Sequence, residues 1–218
     1  MKRTLLLALA LAVIPVTGDA QVTELAQLRA LAEQEDPIAQ NKLGFMYANG
    51  EGVPEDDAEA VLWFRLAAEQ GYALAQSSLG YMYANGRGVT EDDSEAVRWY
   101  GLAAEQGNAP AQYNIGWMHD NGHGVPEDDV EAVRWYRLAA EQGFAGAQLN
   151  LGTMYGNGDG VLQDDVFAHM WFNLSATQGN ETAQDNRDII EQWMPREQIA
   201  EAQRMSTEWL EAHPPSSN

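Results

Sequence analysis

The chain has 218 residues, with 33 acidic side chains against 12 lysines and arginines, a formal charge of −21. A surface this acidic repels phosphate backbones and anionic lipid, which excludes nucleic acid and leaves a basic protein, a cationic polymer or a metal ion electrostatically permitted. Cysteine is absent, so disulfides, thiolate catalysis and Cys-based zinc sites are excluded as well.

Residues 1–20, "MKRTLLLALALAVIPVTGDA", have a basic start, an apolar run from Leu5 to about Ile14 and small residues before a cut after Ala20. That is the build of a secretory signal peptide, and the run is too short to span a bilayer. The expectation is export to the periplasm or beyond, with no membrane span in the mature chain. Residues 21–35 follow as a capping segment. Within it "VTELAQLRALAEQ" (22–34) predicts an amphipathic helix with Leu25, Leu28 and Leu31 available to cover what comes next.

From residue 36 the chain repeats itself. "LGFMYANGEGV" at 43–53 returns as "LGYMYANGRGV" at 79–89, "IGWMHDNGHGV" at 115–125 and "LGTMYGNGDGV" at 151–161. A fixed period of 36 residues marks a stacked array with units 36–71, 72–107, 108–143 and 144–179. Each unit predicts two helices. Helix A of the first covers 37–49, starting at Asp36-Pro37 and carrying Ala39, Leu43, Met46 and Tyr47 on one stripe. It ends at "NGEG", where glycine tolerates a left-handed backbone.

Helix B begins at "EDDAEA", where Asp56 and Glu59 fit a capping box, as do Asp92 with Glu95 and Asp128 with Glu131. Phe167 replaces the glutamate in the fourth unit, which predicts a weaker cap there. Ala60, Trp63, Phe64, Ala67 and Ala68 form the helix B stripe, and Gly71 closes the unit. Helices this short are marginal alone, so stacked neighbours must bury the stripes in one continuous core. Residues 180–212 predict a partial fifth repeat and a capping helix with Ile199, Ala202 and Trp209 on one side. Residues 213–218, "HPPSSN", predict a disordered tail.

The pattern "AQxxLGxMYxNGxGV" followed by "DDxxEAVxWYxLAAEQG" resembles the Sel1-like repeat family, relatives of the tetratricopeptide repeat. The resemblance covers residues 36–179. It implies an all-α fold, an α/α superhelical solenoid of helix-turn-helix repeats serving as a scaffold for protein–protein contact. Some cysteine-rich members of the family have been credited with penicillin binding and β-lactam hydrolysis, which implies an alternative, a cell-envelope hydrolase. A polysaccharide-export scaffold is another.

Helical geometry locates a candidate binding face. With Leu43 at 0° and about 100° per residue, Tyr47, Ala39 and Met46 fall on the buried side. Phe45, near −160°, points away, as do Asn41 and Ile38. The resemblance to tetratricopeptide arrays implies that this face lines the concave groove. The groove would present Phe45, Tyr81 and Trp117 in succession, then Thr153. The row of Asn41, Ser77, Tyr113 and Leu149 runs beside them, with Lys42, Ser78, Asn114 and Asn150 on the other flank. Large amphipathic rings are favoured anchors for peptides and sugars. The alternative is a tightly curved array in which the rings pack between neighbouring A helices. The candidate ligand-binding set is therefore Phe45, Tyr81, Trp117, Asn41, Tyr113, Asn114 and Asn150, with a protein or peptide, basic by preference, as partner.

Other chemistry is sparse. His119 and His123 have a spacing that can serve one metal, but His123 lies beyond Gly122 and no third ligand stands nearby. The repeated acidic clusters lack the order of a calcium loop and suit helix N-termini instead. Neither Ser-x-x-Lys nor Gly-x-Ser-x-Gly occurs, and no serine has a repeated base beside it. Arg65–Glu69 and Arg137–Glu141 have i, i+4 spacing for surface pairs. The expectation is a non-enzyme without metal or cofactor.

Overall fold

The computed structural model describes residues 18–214. The expected leader, but for its last three residues, and most of the expected tail lie outside them. All eleven elements among the described residues are α-helices: α1 (Gly18–Glu33), then the hairpins α2 (Pro37–Asn49) with α3 (Asp57–Glu69), α4 (Ala73–Ala84) with α5 (Asp93–Glu105), α6 (Ala109–Asn121) with α7 (Asp129–Glu141), and α8 (Ala145–Asn157) with α9 (Asp165–Thr177), and finally α10 (Glu181–Ile190) and α11 (Arg196–Ala212). Each helix A packs against its own helix B and the helix B before it. None of these helices is long and apolar enough to cross a membrane.

Helix B starts on an aspartate, as its sequence requires. Asp56 Oδ1 accepts from the N–H groups of Ala58 and Glu59 at 3.0 and 3.1 Å. The return arm of a capping box goes unused. The N–H of Asp56, Asp92, Asp128 and Asp164 instead donates to the carbonyl of Tyr47, Tyr83, His119 and Tyr155 in the helix A of the same unit. Phe167 therefore does not weaken the fourth cap: Asp164 Oδ1 accepts from Val166 and Phe167 N–H at 3.0 and 3.1 Å. Helix B ends on a residue with positive φ, Gly71 at 85° and Gly107, Gly143 and Gly179 within a few degrees of it. Glu35 has the same phase before the first full unit, and it is the one non-glycine residue with positive φ among those described (66°).

The core is the stacked stripe. Leu43, Leu79 and Leu151 are fully buried, with the alanine pairs of helix B and Trp99, Trp135 and Trp171 around them. Trp63, packed against the smaller cluster formed with α1, is only partly covered. In that cluster Leu25 and Leu28 contribute as expected, but Leu31 is exposed and Ala32 takes the buried place.

A polar ladder runs through this apolar core. Gln40, Gln76, Gln112 and Gln148 are buried, and each donates its Nε2 to the carbonyl of Ala32, Ala68, Ala104 or Ala140 at 3.1–3.2 Å. Each also accepts, at 2.7–2.8 Å, from the Nε2 of Gln70, Gln106, Gln142 or Gln178, 30 residues on. Leaving a buried amide unpaired costs about 1–3 kcal/mol, so the ladder penalises any slip in the stacking register.

The arginines of helix B make different contacts from those the spacing suggests. Arg65 and Arg137 donate to the hydroxyls of Tyr83 and Tyr155 at 2.8 and 2.9 Å, rather than pairing with Glu69 and Glu141. An i, i+4 ion pair in water gains little, so it does not outcompete a tyrosine hydroxyl held at 2.8–2.9 Å on the next unit. At the C-terminal end α11 lies on α9, with Met205 and Trp209 against Met170, Trp171 and Leu174 of its cluster.

Candidate functional site

The outward face of the A helices carries the aromatic strip. Phe45, Tyr81 and Trp117 are 44%, 47% and 41% exposed, each 36 residues from the next. Ile38, Leu74 and Pro110 flank them in the open, and Thr153 is exposed at the end of the row. The rings are held rather than free: Phe45 meets Phe64 edge-on at 5.1 Å, and Trp117 stacks on His123 at 4.8 Å.

The row beside them turns inward. Asn41 is buried, 7% exposed, with Oδ1 unpartnered, so it does not face the strip. Tyr113, in the same row, is half-buried against Phe144 at 5.1 Å and Tyr136 at 5.9 Å. Leu149 packs on the cluster of Ile190 and Met194. A helical wheel counts one buried stripe, but a helix in an array also meets the next unit, and that contact takes this row off the outward face. Asn114 and Asn150 are half-buried, beside Tyr100 and Tyr136 respectively.

Between units the structure assembles a constellation that the sequence reading overlooked. The variable residue of each NGxG loop lies over the second aspartate of the preceding "DD", 30 residues earlier. Arg87 holds Asp57 by two hydrogen bonds, 2.7 and 3.1 Å. His123 Nδ1 stands 3.2 Å from Asp93 Oδ2. Position 159 is an aspartate, so the third junction has Asp159 with Asp129 and no cation. There Asp120 accepts from the Tyr136 hydroxyl at 3.0 Å. Burial raises its carboxyl above the ordinary range, the Tyr136 hydrogen bond opposes this, and Asp129, Asp159 and Glu127 push it further up. Burial likewise raises the Tyr100 and Tyr136 hydroxyls, which stay neutral. The signal was legible only as spacing: each second aspartate stands 30 residues before the variable loop position, which is Arg87, His123 and Asp159 in turn.

A cavity of about 280 Å³ opens at the second junction, lined by Tyr81, Glu91, Asp93, Tyr100, Asn114, Trp117 and His123. Another of about 290 Å³ repeats its register two units on, with Thr153, Asp165, Phe172, Asn186, Ile189 and Trp193. The first holds two carboxylates, Glu91 and Asp93; the second holds one, Asp165, and Trp193 is 61% exposed at its edge. His119 and His123 do not converge: His119 Nδ1 is buried without a partner, while His123 turns to Asp93. Among the described residues no group of three or more His, Cys, Asp or Glu side chains is placed to hold a metal.

No curated protein matches the chain. Among solved structures it is similar to a Sel1 repeat protein from Oxalobacter formigenes, at 39% identity and a TM-score of 0.69 over 75% of this chain and 48% of that one. It is also similar to a protective antigen of uropathogenic Escherichia coli displaying an SLR fold, at 31% and 0.56 over 89% and 50%. The chain thus spans about half the length of these two relatives. A putative Sel1 repeat protein from Klebsiella pneumoniae, 23% identical with a TM-score of 0.50 over 80% of this chain and 86% of that one, shares the fold. Sel1 repeats generally mediate protein interactions. Their family model matches residues 37–72, 73–108, 109–144 and 145–180, and the chain belongs to the Sel1 repeat family.

Proposed function

We propose that this protein is an exported, non-enzymatic scaffold that captures an extended peptide or protein surface along the groove formed by its A helices. The observation that carries this reading is the strip of Phe45, Tyr81 and Trp117, three large rings in one register, each more than two-fifths exposed. Rings of this kind contribute large contact area at small entropic cost, and they dominate binding where water is excluded around them. Asn114 and Asn150, beside the strip, supply amide donors and acceptors for a peptide backbone. The charge of −21 favours a basic partner and speeds its approach at low salt. Removing Lys2, Arg3 and Asp19 with the leader takes the charge to −22.

The test uses the full mature chain with Tyr81→Ser and Trp117→Ser together, immobilised beside the unaltered protein and exposed to envelope extract. Loss of the captured proteins with unchanged melting is the expected result. Equal capture by both overturns the reading, and a collapsed melting temperature assigns the rings to the core. Turnover of a chromogenic β-lactam that persists through repurification overturns its non-enzymatic part.

A further inference from the structure

The first junction shows what its walls are made to hold. The Arg87 guanidinium lies on Asp57, donates to the carbonyl of Ala48 at 3.1 Å and stands 3.8 Å from Glu55. Hydrogen bonding to Asp57 is the main influence holding its pKa above the ordinary value, and Tyr81 adds to it.

Move 36 residues along and each wall has its counterpart: Asp93, Ala84, Glu91 and Trp117. The cation does not. Position 123 is histidine, whose ring is shorter and stacks on Trp117, and the space it leaves is the cavity of about 280 Å³.

Building on the docking reading above, we propose that this cavity is a cradle for an arginine side chain of the captured peptide, replacing in trans the guanidinium that Arg87 supplies in cis one unit earlier. The chemistry matches on each side. A guanidinium is planar, always charged and forks onto a carboxylate, which Asp93 and Glu91 offer. Its flat face is attracted to an indole or phenol ring, which Tyr81 and the face of Trp117 not covered by His123 offer. His123 meets Asp93 through one nitrogen at 3.2 Å, whereas Arg87 forks onto both oxygens of Asp57, so one oxygen of Asp93 is left for a guest. The cavity two units further along keeps Asp165 in the place of Asp93 but has Gln163 for Glu91 and Ile189 for Trp117, so it lacks the second carboxylate and the indole.

The experiment compares a fluorescent hexa-arginine peptide with its hexa-citrulline counterpart, which keeps the shape and loses the charge. Binding is measured by polarisation on the mature full chain, on His123→Arg, on Tyr81→Ser/Trp117→Ser and on Gln203→Arg. Gln203 is exposed on α11, so that last variant adds the same charge away from the cradle. The arginine peptide is expected to bind at least about tenfold tighter than citrulline to the unaltered chain and to Gln203→Arg. His123→Arg, which rebuilds the internal guanidinium of the first junction and so melts no lower, should cut that difference several-fold relative to Gln203→Arg, leaving only the pull of the overall charge. Equal binding of the two peptides to the unaltered chain overturns the cradle, as does undiminished arginine preference in His123→Arg. Equal binding that disappears in the double serine variant removes the cradle and leaves the docking face standing.

Discussion

Gly44, Gly80, Gly116 and Gly152 lie in helix A with ordinary helical backbone, so their role is the missing side chain and not a turn. A Cβ on Gly80 would stand 2.8 Å from Tyr100 Cδ1, and on Gly44 2.6 Å from Phe64 Cδ1. Two effects compete when such a glycine becomes alanine. Helix propensity gains roughly 1 kcal/mol, while forcing an extra carbon into a packed core loses about 1–3 kcal/mol. At Gly80 the clash is with a buried ring at 2.8 Å and wins, and Gly80→Ala should destabilise by up to about 2 kcal/mol. Gly156 sits in the same kind of helix, but its Cβ would meet Ala168 Cβ at an ordinary 3.7 Å. Gly156→Ala should therefore stabilise by about 0.5–1 kcal/mol. Urea midpoints of the two variants, moving in opposite directions, are the measurement. The sequence displayed these glycines at one phase of the period; only the ring above each shows why that phase must be bare.

Between elements, one contact recurs at an offset of 18 residues. Arg29, Arg65 and Arg137 donate to the hydroxyls of Tyr47, Tyr83 and Tyr155 at 2.8–2.9 Å. At the junction of α5 and α6 both partners are changed, to Gly101 and His119, and His119 Nδ1 is buried unpaired. Restoring the pair with Gly101→Arg and His119→Tyr gains helix propensity, one hydrogen bond worth about 1 kcal/mol and relief of a buried unpaired nitrogen. The double variant should be more stable by about 1–2 kcal/mol. A double-mutant cycle by chemical denaturation should show that the two changes together exceed the sum of the singles, since neither residue finds its partner alone. Strict additivity would refute the pairing. The chain order of the helices, the aspartate that starts each helix B and the helix ends were legible beforehand, because those depend on residues within a few positions of each other; the partner of each aspartate N–H, a carbonyl of helix A, was not. The Arg–Tyr pair was not, because its partners belong to different hairpins, and the nearer glutamates offered a plausible local alternative.

At the scale of the molecule, the array touches itself only between neighbours, and its ends must be closed. Leu66, Leu102 and Leu138 are exposed by more than a third, while Leu174 in the same phase is 1% exposed. The difference is α11, which lies on α9 and brings Met205 and Trp209 over that position, with Trp209 edge-on to Trp171 at 6.4 Å. Deleting residues 196–218 bares Met170, Trp171 and Leu174 together. The loss should be on the order of 5 kcal/mol at a few kcal/mol for each large apolar side chain. Urea unfolding of the truncated chain should show that drop, with dye binding to newly exposed apolar surface. An unchanged midpoint would mean that α11 is an appendage.

The 36-residue period, the two helices in each unit, the aspartates that start helix B and the closing glycines were determined by the sequence alone, whereas the choice between an outward and a packed placement of Phe45, Tyr81 and Trp117 was not. Each of the former is a local property: helical phase and turn chemistry are set within one or two turns of chain. Tertiary structure decided that Asn41 turns inward, that Ala32 is buried in place of Leu31, that the second aspartate of each unit faces the loop of the next, and that a cavity opens where histidine stands for arginine. Those outcomes depend on residues 18, 30 or 36 positions apart, and nothing within a single helix carries the distance between one hairpin and its neighbour.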